Sequence, residues 1–166
     1  MTEITLRPAR TPDVQTVRRL VGLFTADGRL LAKAPVTLYE DVQEFLVAEI
    51  DGNVVGCGAL HVLWEDLAEI RTLAVDPDYQ HRGVGGRILD ALIARAYDLG
   101  LARLFCLTFE VEFFAAHGFH EIDGSPVDQE VFEQLLQSYD EGVAEFLDLE
   151  RVKPNTLGNR RMLRVL

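Results

Sequence analysis

The stretch from Leu67 to Thr108 limits most tightly what this chain can fold into. Leu67–Val75 is a β-rich run ended by Pro77, and residues 83–99 then carry Val84, Ile88, Leu92, Ala96 and Leu99 along one side, with Gly100 as a stop. That spacing predicts a helix. Arg103–Thr108 is short and almost wholly apolar, as a strand covered on both faces must be. Strand, helix and strand in this order form a crossover unit, so the two strands are predicted to be parallel.

The flanking sequence reads as an antiparallel meander. Thr5–Pro8 is a first strand, and Thr11-Pro12-Asp13 supplies a hydroxyl N-cap, an early proline and an acid for a helix over about 12–24 striped by Val14, Val17, Leu20, Val21 and Phe24. Asp27-Gly28 breaks it, and residues 35–42 suggest a second short helix. Asp51-Gly52-Asn53 joins Phe45–Ile50 to residues 54–64 as a hairpin, and Glu65-Asp66 turns into the next strand. Beyond the crossover come a short helix over 111–117, a strand over 119–122 and a helix opened by Ser125-Pro126-Val127-Asp128 and striped by Val131, Phe132, Leu135, Leu136 and Tyr139. Arg160–Val165 reads as a last strand. The expected class is α+β, a mixed and mostly antiparallel sheet with helices on both faces and one parallel strand pair, in a single domain over 1–166.

Charge narrows the partners. The 166 residues carry 27 acids and 16 bases, a net charge of -11, so only a local patch could hold a polyanion. Nucleic acid is an unfavourable partner. Ten acids and no base fall in residues 121–150, and five bases and no acid in 151–166. Cys57 and Cys106 lie in apolar runs and read as buried thiols in a reducing compartment, with no spacing for a metal. No leader pattern is read at the start, and no apolar run approaches the roughly 18 residues that span a bilayer. The expectation is a soluble, cytoplasmic protein without a membrane partner.

The chemical signal is the turn Gln80-His81-Arg82-Gly83-Val84-Gly85-Gly86-Arg87. Glycines at a helix start allow close approach to the backbone, and first-turn N–H groups without an internal partner face an anion. Arg82 and Arg87 add positive charge. The alternative is an ordinary tight turn with a glycine-weakened helix start. A P-loop is excluded because neither Lys33 nor Lys153 follows glycine, and a dinucleotide fingerprint begun at Gly83 meets Ile88 where its last glycine belongs.

Gln80, Gly83 and Gly85 match Q/R-x-x-G-x-G/A, and on this motif and the order of elements the chain resembles the GCN5-related N-acetyltransferases. The resemblance implies the fold of that family with its parallel pair splayed apart, and acetyl-CoA as cosubstrate. It places the diphosphate on the backbone of Arg82, Gly83, Val84, Gly85 and Gly86, within the wider segment Gln80, His81 to Arg87, and the pantetheine arm along Leu73, Ala74 and Val75. The Leu73 N–H would be the oxyanion donor. No metal is implied.

Glu69, an acid inside an apolar strand, is the candidate base for the incoming amine, with a strand-end pair to Arg71 as the other reading; Glu110 and Glu112 are runners-up. The tyrosine that many family members offer to the departing thiolate is here Phe114, so Thr108 or water is left as the donor. Segments Val54 to His61, Glu69 onward and Arg103–Thr108 resemble the acetyltransferase domain of N-acetylglutamate synthases, and Tyr139 to Asn159 is similar to their short actinobacterial form, which implies acetylation of the α-amine of L-glutamate or L-glutamine in arginine biosynthesis. A dicarboxylate needs cations, and Lys33, Arg71, Arg160 and Arg161 are the candidates. Arg160 stands where such synthases carry a small hydroxyl residue, and the tail arginines could instead neutralise the acidic segment. His61 reads as a satisfied imidazole and His81 as a solvated loop residue. Other expectations kept open are a different small amine as acceptor, a regulatory module that binds CoA or an amino acid without turnover, and a homodimer.

Overall fold

The computed structural model describes residues 3–26, 28–30, 32–149 and 158–166. Strands β1 (Thr5–Pro8), β2 (Phe45–Ile50), β3 (Asn53–Trp64), β4 (Leu67–Val75), β5 (Arg103–Thr108), β6 (His120–Glu121) and β7 (Arg160–Val165) join in the order β1-β2-β3-β4-β5-β7-β6. β4 and β5 pair in parallel through Leu67–Arg103, Ala68–Leu104 and Glu69–Phe105, as the crossover requires. The pairs β1–β2, β2–β3, β5–β7 and β6–β7 are antiparallel.

Two compact units are built on these strands. The first takes residues up to His61 and 70–100, with helices α1 (Val14–Thr25), α2 (Pro35–Glu40) and α3 (Val84–Asp98). Its core joins Val14, Val17, Leu20, Val21 and Phe24 of α1 to Leu38, Phe45, Val47, Cys57, Ala59 and Ala74. Each such side chain withdrawn from water contributes about 2 kcal/mol. Alternation along β3 puts the neighbouring glycines on the other face. A Cβ at Gly56 would lie 2.9 Å from Ile88, and one at Gly58 would lie 2.8 Å from Ile88 and 3.0 Å from Leu92. Glycine there lets α3 lie flat on β3, so this unit carries helices on both faces.

The second unit takes residues 62–69 and 101–166, with helices α4 (Val111–Ala115), α5 (Gln129–Leu135) and α6 (Glu141–Phe146). Leu63, Leu67, Phe105, Leu135, Val143, Phe146, Leu147 and Leu163 form its core, with Phe105 edge-on to Phe146 at 4.8 Å.

Several local expectations are corrected. Thr11 does not cap α1: the chain enters through a 3-10 turn at Thr11–Asp13, and the Asp13 carboxylate accepts from the Arg10 N–H at 2.7 Å. α2 stops at Glu40 and a 3-10 turn at Val42–Glu44 follows. Leu99 lies beyond the packed face of α3 and is exposed, while Leu89 and Ile93 are buried. Asp128 rather than Ser125 caps α5, accepting from the Val131 N–H at 3.0 Å. α5 ends at Leu135, leaving Leu136 and Tyr139 exposed, and α6 begins anew behind its own cap, Asp140. Asp27 and residues 150–157, which include part of the synthase resemblance, lie outside the described residues.

Candidate active site

The glycine turn is built from the end of β4. The Asp76 N–H donates to Val55 O at 2.8 Å, and the Asp76 carboxylate accepts from the Asp78 N–H at 3.0 Å, closing a 3-10 turn at Pro77–Tyr79. The Gln80 side-chain amide donates to Val75 O at 3.3 Å, tying the motif to the strand it follows. His81 (φ 63°) and Gly83 (φ 83°) are both left-handed. That alternation makes the kind of backbone concavity in which successive N–H groups converge on an anion. It opens into α3, where Val84, Gly85 and Gly86 occupy the first turn and have N–H groups without an intrahelical acceptor. Space for a Cβ exists at Gly83; its backbone angle, not crowding, is what requires glycine. Arg82 lies 5.1 Å from the Tyr79 ring, and Arg87 donates to Ile4 O at 3.3 Å; both are exposed.

Thr72 holds a feature that the sequence did not reveal. It is left-handed at φ 58° inside β4 and buried, although it is β-branched. Its carbonyl accepts from Cys57 Sγ on β3 at 3.5 Å. A trans peptide points its C=O and N–H in opposite directions, so the N–H of Leu73 is directed away from the Cys57 sulfur. Leu73 and Val75 are half-buried, and Ala74 faces the core. Arg71 is buried, and Lys33, between α1 and α2, is half-buried. His61 on β3 contacts the Glu44 carboxylate through Nδ1, a satisfied imidazole.

In the second unit Glu69 is 2% exposed on the β4 face shared with Leu67. Burial raises the Cys106 thiol far above its ordinary value, and the negative charge of Glu69 adds to that rise. Thr108 is buried, and its Oγ accepts from the Glu110 N–H at 2.8 Å, which leaves the hydroxyl proton to donate elsewhere. Glu110 and Glu112 are exposed around the start of α4. Phe114 is buried edge-on to Phe113 and Phe119 and has no proton to offer. Arg160 is exposed, 3.7 Å from Glu121. Arg161 lies over Phe105 and donates to the carbonyls of Gly124, Glu145 and Phe146 and to Ser125 Oγ. The structure therefore gathers the glycine turn and the kinked strand in the first unit, and Glu69, Thr108 and Arg161 in the second.

Residues 18–124 match the family described as Acetyltransferase (GNAT). The chain belongs to the GNAT acetyltransferase family. It is 60% identical over 164 residues to the amino-acid acetyltransferase of Mycobacterium tuberculosis, covering 97% of this chain and 94% of that one. The crystal structure of Rv2747 from Mycobacterium tuberculosis, in complex with CoA and NLQ, superposes with a TM-score of 0.94 at 60% identity over 98% of this chain and 99% of that chain. N-acetylglutamate synthase from Neisseria gonorrhoeae, complexed with coenzyme A and N-acetyl-glutamate, superposes with a TM-score of 0.78 at 27% identity; the match covers all of this chain and 36% of the longer one. The GNAT fold expected from the glycine motif is borne out. Among the described residues no group of three or more His, Cys, Asp or Glu is placed to hold a metal, and no helix is long and apolar enough to cross a membrane.

Proposed function

We propose that this chain transfers the acetyl group of acetyl-CoA to the α-amine of L-glutamate or L-glutamine, by direct attack in a ternary complex, as the entry step of arginine biosynthesis. The observation that carries the reading is the Gln80-x-x-Gly83-x-Gly85 turn, left-handed at His81 and Gly83 and opening α3. The near full-length identity to an amino-acid acetyltransferase and the CoA complexes of its structural neighbours support it.

On this reading residues 1–166 act as one acetyltransferase domain. The diphosphate of CoA is held by the N–H groups of residues 82–86, with Gln80, His81 and Arg87 framing them, and the pantetheine arm runs along Leu73, Ala74 and Val75. The Leu73 N–H, next to the left-handed Thr72, stabilises the oxyanion formed when the amine attacks the thioester carbonyl. Glu69 takes the amine proton, directly or through water. The C–N bond forms as the tetrahedral intermediate collapses, the C–S bond breaks, and the departing thiolate takes a proton from the Thr108 hydroxyl or from water. Lys33, Arg71 and Arg160 supply the cations for the acceptor's carboxylates.

The test is thiol release from acetyl-CoA with a panel of amino acids. Release with glutamate or glutamine is the expected result; no release with any acceptor would leave a CoA-binding module without turnover. Glu69→Gln is expected to lower kcat about 100-fold with little change in acetyl-CoA affinity.

A further inference from the structure

Arg161 was expected to meet a substrate carboxylate. We propose instead that Arg161 is a positioning residue, which fixes the α5–α6 segment against Phe105 and thereby holds the sheet face that carries Glu69. This rests on Glu69 as the base and goes beyond it by naming what keeps that base in place.

The donor count argues against a substrate clamp. A guanidinium has five N–H groups. In Arg161, Nε donates to Gly124 O at 2.7 Å, Nη1 to Glu145 O at 3.4 Å, and Nη2 to Ser125 Oγ at 3.3 Å and to Phe146 O. At most one donor remains, whereas a bidentate grip on a carboxylate needs two on one edge. The plane is also occupied, lying 4.9 Å from the Phe105 centroid and 5.9 Å from that of Phe146.

Register places this group beside the base. Phe105 pairs with Glu69 in the parallel ladder, so their side chains emerge on one face. Arg161 stands opposite Leu107 on β5, two residues from Phe105 and on that same face. Ser125 Oγ also donates to Phe146 O at 2.8 Å, so the loop before α5 and the end of α6 meet at one guanidinium. Among the described residues, Cys106 on β5 and Arg161 on β7 interact electrostatically with Glu69, Arg161 also with Asp148 and Glu145, and Arg71 follows two residues along the same strand. Burial works against the Arg161 charge, and the carboxylates of Asp148, Glu69 and Glu145 work for it.

The experiment compares Arg161→Met and Arg161→Lys in the full chain, with Glu69→Gln alongside, by steady-state kinetics with acetyl-CoA and the amino acid that turns over, from about pH 5 to 9. Arg161→Met is expected to lower kcat by roughly 10- to 100-fold, to leave acceptor KM within about threefold, and to move the acid limb of kcat/KM upward by about half a pH unit or more. Arg161→Lys, which keeps the charge without the planar fork, is expected to return that limb to its wild-type position. Should Arg161→Met fail to fold, Arg161→Gln removes the charge while keeping two N–H donors and gives the same readout. An acceptor KM raised about tenfold at unchanged kcat would make Arg161 a substrate ligand and overturn the proposal. A lower Tm with kcat and the acid limb unchanged would reduce it to scaffold. Full turnover in Glu69→Gln would instead remove the base on which the proposal stands, an outcome separable from the other two.

Discussion

α3 and the α5–α6 segment are held by different balances of packing and hydrogen bonding. In α3 six side chains, Val84, Ile88, Leu89, Leu92, Ile93 and Ala96, are buried, and Gly56 and Gly58 clear the surface on which they rest. α5 and α6 have seven and six residues, too short to persist alone in water. Besides the core packing of Leu135, Val143, Phe146 and Leu147, they depend on the carboxylate caps Asp128 and Asp140 and on the guanidinium of Arg161. Packing spreads the stabilisation of the first helix over many contacts, each replaceable in part. The second segment adds to its packing a few polar anchors, where losing one strands its partners.

Four substitutions or conditions test that contrast. The largest expected loss is for Arg161→Met, about 3 kcal/mol or more, because several carbonyls lose a charged donor at once; a denaturation midpoint within error of wild type would erase the distinction. Next is Gly58→Ala, expected to cost about 1–3 kcal/mol since its Cβ would meet Ile88 at 2.8 Å and Leu92 at 3.0 Å. A neutral result there would mean that α3 can lift from β3 without penalty.

Acid provides the third test. The Arg7 guanidinium, bonded to Asp13 at 2.8 and 2.9 Å, holds the Asp13 carboxyl below its ordinary range. A lowered folded value means that the stability is present in full above the unfolded value of about 3.9, and is lost as pH falls through the folded one. The wild type should therefore exceed Asp13→Asn by about 1–2 kcal/mol at neutral pH, with the gap closing in acid as pH falls below the unfolded value and through the lower folded one. Urea melts at the two pH values measure it, and a constant gap would remove the ion pair as its cause. The smallest effect is Asp140→Ala, about 1 kcal/mol for loss of the bond from the Val143 N–H at 2.9 Å. Thermal melts should show a smaller shift than for Arg161→Met.

The same contrast explains what the sequence disclosed. The stripes of α1 and α3, the Asp51-Gly52 hairpin and the crossover were readable because apolar period and glycine punctuation are local signals. The glycine motif was readable because the left-handed angle at Gly83 demands that residue. Thr72 was not, since nothing in a β-branched residue within an apolar run announces a left-handed turn. The end of α5, the onset of α6 and the partners of Arg161 were hidden for a related reason. Arg161 bonds to residues 15 to 37 positions away, and mostly to main-chain carbonyls, which every residue type possesses. The acidic stretch read as charge to be neutralised; two of its carboxylates, Asp128 and Asp140, serve as helix caps.

Both cysteines are buried, and burial pushes the Cys57 thiol up to about 12 and raises the Cys106 thiol well above its ordinary value. Sulfur exchange proceeds through the thiolate, and here the interior suppresses that form at both positions. An enzyme that liberates a free coenzyme thiol at every turnover thus has no sulfur of its own ready to be captured as a mixed disulfide. Its catalytic life in an oxidising assay should be set by the coenzyme's chemistry and not by the protein's.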